Sequence, residues 1–284
     1  MRLVFTLLIS LSLGLPWPTL ADVNQQNSAW MSLFDGKTLN GWQPKITGHV
    51  LGVDPLQTFS VEDGLLKVRY NHYKQFSGQF GHLFYDTPLT HYALHIEYRF
   101  VGNQAKGGPP GWAKRNSGVM LHAQDPRTMS LDQQFPISIE AQFLGGLSDH
   151  KTRPTANVCS PGTDIEIDGI RHPTHCLASS SATYDGDQWV NVVIVVLGGG
   201  SIIHYVEDEE VLRYARPTID NSDHHQHTDV APIALESGFI ALQSESHPID
   251  FRTIRLLDLS GCTDRQAKNF APYLLKSRAG ACKY

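Results

Sequence analysis

Apolar and polar positions alternate along this chain with the period of β-strands over most of its length. Tyr92-Ala93-Leu94-His95-Ile96-Glu97-Tyr98-Arg99-Phe100 puts Leu94, Ile96, Tyr98 and Phe100 on one face, with His95, Glu97 and Arg99 on the other. Gly64 to Tyr70 alternates behind an Asp-Gly turn, and Asn116 to His122, Ile137 to Phe143 and Gly238 to Gln243 follow the same rule. Trp189 to Leu197 is almost wholly apolar, which predicts a central strand buried on both faces. Gly198-Gly199-Gly200 then predicts a hairpin turn into Ser201 to Glu207, because no helix follows to make it a phosphate loop. Helical periodicity is scarce before the C-terminus. Many short strands with turn residues between them predict an all-β fold, a two-sheet jelly-roll sandwich.

The two ends differ from this body. Arg2, the apolar run Leu3 to Leu15, and Pro16 to Ala21 have the order of a secretory signal peptide, with cleavage expected after Ala21. The apolar run is shorter than the roughly 20 residues that span a bilayer. A membrane anchor is therefore disfavoured, no later segment offers a span, and a periplasmic or secreted protein is expected. The β domain is expected over residues 22–259, followed by a distinct tail over 260–284. That tail, Gly261-Cys262-Thr263-Asp264 through Cys282-Lys283-Tyr284, is similar to a short disulfide-closed motif at the ends of some secreted bacterial proteins. It reads as a stapled cap.

The net charge of −5 and the scattered lysines and arginines argue against nucleic acid, whose backbone needs a concentrated basic face. Four cysteines fit an oxidising compartment and allow three pairings. The local pairing, Cys159 with Cys176 and Cys262 with Cys282, is favoured because each pair brackets a turn-rich segment. The oligomeric state is not legible.

The stretch Ser32-Leu33-Phe34-Asp35-Gly36-Lys37-Thr38-Leu39-Asn40-Gly41-Trp42 combines a short apolar approach with two turns and a tryptophan. It resembles the opening of the 3-keto-disaccharide hydrolase family. Further matching blocks follow in order: Gly81 to Tyr85, Glu97 to Phe100, Gly111 to Met120, Ser138 to Gln142, Cys159 to Thr163, Gly186 to Trp189, Gly238 to Gln243 and Phe251 to Arg255. The resemblance supports the concanavalin A-like form of the jelly roll. It implies cleavage of glycosides whose glucosyl unit carries a ketone at carbon 3, with a carbohydrate as substrate and partner. That ketone acidifies the proton at carbon 2. A base removes it, the aglycone leaves from carbon 1, and water adds to the enone for net hydrolysis; direct hydrolysis stays open beside this route. Such a site needs a base, a donor for the enolate oxygen and help for the leaving group.

Strand alternation nominates residues for these roles. Asn116 and His122 fall on one face with Gly118 and Met120, and Ser138, Glu140 and Gln142 lie together opposite Ile139, Ala141 and Phe143. Glu140 between Ile139 and Ala141 is the candidate base, its pKa tunable by burial, with a structural hydrogen-bonding role as the rival. His122 is a candidate acid or enolate donor. Gln243 faces away from Ile240 and Leu242, and Glu245 and His247 behind it are candidates for the rim of the same site. Arg115 and Asn116 are candidates to fix sugar hydroxyls, and Trp112 to stack on a sugar face. Glu97 and Arg99 read as a structural ion pair.

Two other readings stay open. Asp164, Glu166 and Asp168 share a strand face as in retaining glucanases, whose two carboxyls stand roughly 5.5 Å apart, although Asp168-Gly169 also reads as a hairpin turn. His224-His225-Gln226-His227, near Asp220, Asp223 and Asp229, could bind zinc or copper but is more economically a solvated loop. No cofactor is indicated, and a divalent metal has no dedicated motif. A non-catalytic carbohydrate-binding module would have the same polar sheet face.

Overall fold

The computed structural model describes residues 29–219 and 233–284. The signal segment 1–21 and the histidine run 224–227 lie outside the described residues. Two antiparallel sheets carry the chain. The larger runs, in spatial order, through Ile170–Arg171, Thr163–Ile167, Glu209–Ile219, Ser201–Val206, Val190–Leu197, His91–Phe100, Ile249–Asp258, Leu65–Val68 and Phe59–Glu62. The second sheet, called here the site sheet, runs through Cys176–Leu177, Asn157–Cys159, Ile139–Leu144, Asn116–Ala123, Phe239–Ser244, Gly81–Tyr85 and Trp42–Ile46. This is the two-sheet jelly-roll sandwich that the alternating pattern predicts.

The core lies between the sheets. Leu94, Ile96, Tyr98 and Phe100 meet Val119, Leu121, Ile139, Ala141 and Phe143 there, all buried. Tyr98 stacks on Phe143 with ring centroids 4.4 Å apart. Burial of this continuous apolar surface is the main driving force for closing the sandwich. The opening segment is fastened to it. Asp35 accepts from the Lys37 and Thr38 amides at 2.8 and 2.7 Å, and the Trp42 indole donates to the Leu33 carbonyl at 2.7 Å.

Val190–Leu197 is buried on both faces, as its composition predicts. Val192, Ile194 and Val196 point into the core, while Val193, Val195 and Leu197 join a second apolar cluster on the outer face with Ala93, Ile203, Leu257 and Leu259. Trp30 from the N-terminal side and Tyr273 from the tail pack against this cluster. Lys276–Ser277 pairs in parallel with Ser260–Gly261, and the Leu275 amide donates to the Leu259 carbonyl at 2.8 Å. Both local disulfides, Cys159–Cys176 and Cys262–Cys282, are present. The tail therefore caps the large sheet, on the side away from the site sheet.

His95, Glu97 and Arg99 share the outer face of the large sheet. Glu97 does not pair with Arg99. It accepts from Arg252 at 2.7 Å, while Arg99 bonds Asp250 at 3.0 Å and stacks on Trp189. Each cation found a cross-strand partner in place of its neighbour two residues away, because Ile249–Asp258 lies alongside.

The tail gives a stability test. The Cys262–Cys282 bond closes a segment with a sequence separation of 20 residues. Replacing both cysteines by serine is expected to remove about 3 kcal/mol of stability through the entropy of the unfolded chain. An unchanged denaturant midpoint would show that the cap is held by packing alone.

Candidate active site

The site is built on the outer face of the site sheet. Because Ile139, Ala141 and Phe143 point into the core, Glu140 and Gln142 point to the opposite face. The ladder then assembles one polar row across six strands. Lys45 is opposite His82, and His82 is opposite Gln243. Leu242 pairs with Val119, which sets Gln243 beside Gly118, and Gly118 is opposite Gln142, itself opposite Asn157. Asn157 Nδ2 donates to Gln142 Oε1 at 3.2 Å, fixing that end of the row.

Glu140 leans over the middle of this row. A Cβ placed on Gly118 would lie 2.8 Å from Glu140 Oε1 and 2.9 Å from the Ala141 carbonyl oxygen. The absence of a side chain at residue 118 is what leaves room for the carboxyl group. Gln243 adjoins it, and Glu245, one residue past the end of that strand, lies close enough for the Glu140 charge to act on it. All are buried: Gln243 is 0% exposed, Asn116 1%, Glu245 3% and Glu140 6%.

These groups are also short of partners. Glu140 Oε1, Glu245 Oε2, Asn116 Oδ1 and both amide atoms of Gln243 have no hydrogen-bond partner among the described residues. Leaving a buried polar atom unmade costs about 1–3 kcal/mol, so this concentration marks a place where stability is given up. Burial pushes the Glu140 carboxyl up to about 8, opposed in part by the Gln243 amide. Glu245 is raised well above the usual carboxylate range, first by burial and then by the charge of Glu140. One of two such carboxyls ionises at the expense of the other.

Arg115 and His247 gather at one end of the sandwich, around Phe100. The Arg115 guanidinium sits 5.4 Å from the Phe100 ring centre, and the His247 ring meets the same phenyl edge-on at 5.7 Å. Arg115 donates to the Gly186 carbonyl, and Arg153 ties the same loop through the carbonyls of Arg115 and Trp112 at 3.1 and 3.3 Å. Burial, then the charges of Arg115, Lys114 and Arg153, hold His247 neutral, at about 4. His247 is 2% exposed, so it does not stand on a solvated rim. Trp112 is 52% exposed and stacks on Phe80 at 6.1 Å, leaving its other face to solvent.

His122 corrects the sequence expectation. Simple alternation puts it with Gly118 and Met120, but the ladder shifts register between Phe239 and Ala241, and His122 has a left-handed φ of 47°. This extra residue turns the imidazole inward. Its Nε2 lies 3.1 Å from the Gly198 carbonyl and its ring meets Tyr92 edge-on at 6.3 Å, in the core between the sheets. It is not part of the Glu140 group. His82 occupies that face instead, and the alternation of His82 and Phe84 against Leu83 is the local signal that places it there.

The acidic strand takes another form. Glu166 is held by Arg216, with Nε at 2.6 Å, and Asp164 by Arg171, at the edge of the large sheet. Asp168 and Gly169 have φ of 51° and 79° and turn the hairpin to Ile170–Arg171, as their sequence predicts. The one compact set of possible metal ligands among the described residues is Cys159, His175 and Cys176, and its two sulfurs are bonded to each other.

The family model described as the 3-keto-alpha-glucoside-1,2-lyase-like domain matches residues 29–257 of this chain. A protein of Bacteroides thetaiotaomicron named 3-keto-disaccharide hydrolase is 26% identical over 246 residues, covering 80% of this chain and 77% of its own length. A solved structure from Parabacteroides distasonis, provisionally named a glycosyl hydrolase, aligns with a TM-score of 0.48 at 14% identity over 83% of this chain and 96% of its own. A carbohydrate-binding module of Bacillus subtilis gives 0.44 at 10% identity over 77% and 96%. Neither structural likeness bears on chemistry.

Two outcomes follow from the buried pair. With both carboxyl pKa values raised, the folded chain keeps protons that the unfolded chain releases from about pH 4.5 upward, so the pair lowers stability as pH rises through neutrality. Glu140→Gln and Glu245→Gln should each raise Tm at about pH 8 and leave it unchanged at about pH 4; thermal melts at both values check this. Gly118→Ala should displace the Glu140 carboxyl and lower turnover about 100-fold, the scale of a misplaced reacting group. Full activity in that variant would mean the carboxyl does not work above residue 118.

Proposed function

The chain belongs to the family of 3-keto-alpha-glucoside-1,2-lyase-like domains, and on that premise we propose that it is an exported enzyme cleaving glycosides oxidised at carbon 3. The observation that carries this reading is the buried pair Glu140 and Glu245, each with one unpartnered oxygen and close enough to couple, with Glu140 set above Gly118. Two carboxyls whose surroundings push their pKa values apart divide the roles of base and acid. Glu140, less strongly raised, is the base that takes the carbon-2 proton. Glu245, which keeps its proton in the field of ionised Glu140, donates to the departing glycosidic oxygen. Carbon 2 and carbon 1 become doubly bonded as the carbon 1–oxygen bond breaks. Addition of water to carbon 1 then gives the free 3-keto sugar.

Asn116, Gln142 and Gln243 supply amide groups for sugar hydroxyls on the same face. Trp112 offers the open ring face on which a sugar or aglycone stacks, and Arg115 with His247 close the end of the site. The enzyme domain spans residues 22–259, with 260–284 as its cap. The N-terminal segment ending at Ala21 and the two disulfides support an extracytoplasmic location. Among the described residues, no helix is long and apolar enough to cross a membrane. An oxidising enzyme must act first, since the substrate has to arrive with its carbon-3 ketone.

The test compares a 3-keto-glucoside with its unoxidised parent, following aglycone release and enone absorbance. Release from the keto compound alone is expected, and release from the parent would overturn the proposal. Glu140→Gln should reduce turnover by about 10²- to 10⁴-fold, the range for loss of a general base, while substrate still binds. The pH profile of kcat/KM should be a bell whose two limbs both lie above the ordinary carboxylate range. Its rising limb follows ionisation of Glu140, and its falling limb follows the loss of the Glu245 proton.

A further inference from the structure

We infer that His82 donates the hydrogen bond to the oxygen that gains charge when the carbon-2 proton leaves, an assignment that rests on the reaction proposed above. His82 is 0% exposed, and neither Nδ1 nor Nε2 has a hydrogen-bond partner among the described residues. Its ring lies against Phe84 and Phe135, with centroids 6.3 and 5.8 Å away. An imidazole packed among aromatic rings with both nitrogens unused is a poor core residue. Phenylalanine would fill the same place without the buried polar atoms. The ring nevertheless sits in the polar row, between Lys45 and Gln243.

The position suits a donor. His82 lies two strands from Gly118, above which the Glu140 carboxyl rests. Two strand spacings are about 10 Å. A pyranose ring laid over Gln243, with carbon 2 toward Glu140 and its carbon-3 oxygen toward His82, spans roughly 8 Å from base to donor at hydrogen-bond contacts. Gln243 lies beneath the ring, its amide beside the Glu140 carboxyl. Glu245 continues the strand of Gln243 beyond the row, which leaves it for the carbon-1 oxygen.

The charge state suits it as well. Burial, then the Lys45 ammonium, lowers the imidazole pKa to about 3, so the ring is neutral and offers one N–H. During the step Glu140 takes the carbon-2 proton, and the C–H electron pair enters the carbon 2–carbon 3 bond. The carbonyl pair moves onto oxygen 3, which accepts from His82. The charge then returns to re-form the carbonyl as the carbon 1–oxygen bond breaks and the leaving oxygen takes the Glu245 proton. His82 keeps its own proton throughout. It is thus a stabilising donor rather than an acid.

The experiment uses the full chain carrying His82→Phe or His82→Asn, each checked by thermal melt. Two readouts are taken on 3-keto-glucosides with a 4-nitrophenyl or a methyl aglycone: exchange of the carbon-2 hydrogen in deuterium oxide, and aglycone release. His82→Phe is expected to lose about 10²- to 10³-fold in both, by the same factor for either aglycone, as for removal of one oxyanion donor. His82→Asn, which keeps an N–H, should recover part of the loss, and the pH midpoints of kcat/KM should not move. A folded His82→Phe with wild-type rates overturns the assignment alone. So does a loss confined to release of the methyl aglycone with exchange intact, which would move His82 to the leaving group. Wild-type protein that neither exchanges nor releases would remove the proposed reaction and this role with it. If His82→Phe does not fold, the same readouts on His82→Leu decide.

Discussion

Burial of Ile139, Ala141 and Phe143 between the two sheets is the constraint on which the rest of the site depends. Where a strand runs without a bulge, successive side chains alternate, so fixing these three in the core fixes Glu140 and Gln142 on the outer face. A slip of one residue would drive the Glu140 carboxyl into the stack of Tyr98 and Phe143. That would place an acid among the apolar side chains of the core, at a heavy desolvation penalty. The sandwich core is therefore also what aims the Glu140 carboxyl over Gly118, and its close packing gives the proposed proton transfer a fixed geometry.

The polar groups of the site face are buried but incompletely bonded, and its two acids raise one another's protonation. Elsewhere the chain handles charge differently. Asp250, 1% exposed, is shared by Arg69 and Arg99, and Glu97 is held by Arg252 and Thr253. The contrast is physical evidence for division of labour. Ion pairs on the large sheet hold strands together, whereas the carboxyl pair on the site sheet raises the energy of the protein at neutral pH, which is what the proposed acid and base roles require.

Both sheets have a covered second face, and the covers differ. On the large sheet the cover is apolar: Tyr273 and Trp30 close over Val193, Val195 and Leu257, and the disulfide holds the tail in place. On the site sheet, Met129 and Phe135 pack over Phe84, Met120 and Ala241 along one part of the face. The polar row runs beside that apolar patch, with Phe135 touching His82 at the boundary. An apolar wall against a row of amides is the combination of stacking and hydrogen-bonding groups that the proposed sugar site calls for.

The period of two, the turn pairs Asp35-Gly36 and Asp168-Gly169, the doubly apolar Val190–Leu197 and the cysteine spacing are all local properties. They determined the fold class, the hairpins, and the shared face of Glu140 and Gln142 and of Gln243 opposite Leu242, and they favoured the local disulfides, because alternation and turn chemistry act over a few residues. Tertiary structure alone decided three things. A bulge at His122, set by register against the Phe239–Ser244 strand, reversed a side chain that alternation had aimed correctly up to Leu121. Strand order brought Glu245 into the field of Glu140, although the two are far apart in sequence, and gave Gly118 its meaning as empty space under a carboxyl. It also set His82 in a row with Gln243 while sending Glu166 to an arginine at the far sheet's edge. Each depends on which strands lie side by side, and hydrogen-bond register between distant segments leaves no mark on either segment alone.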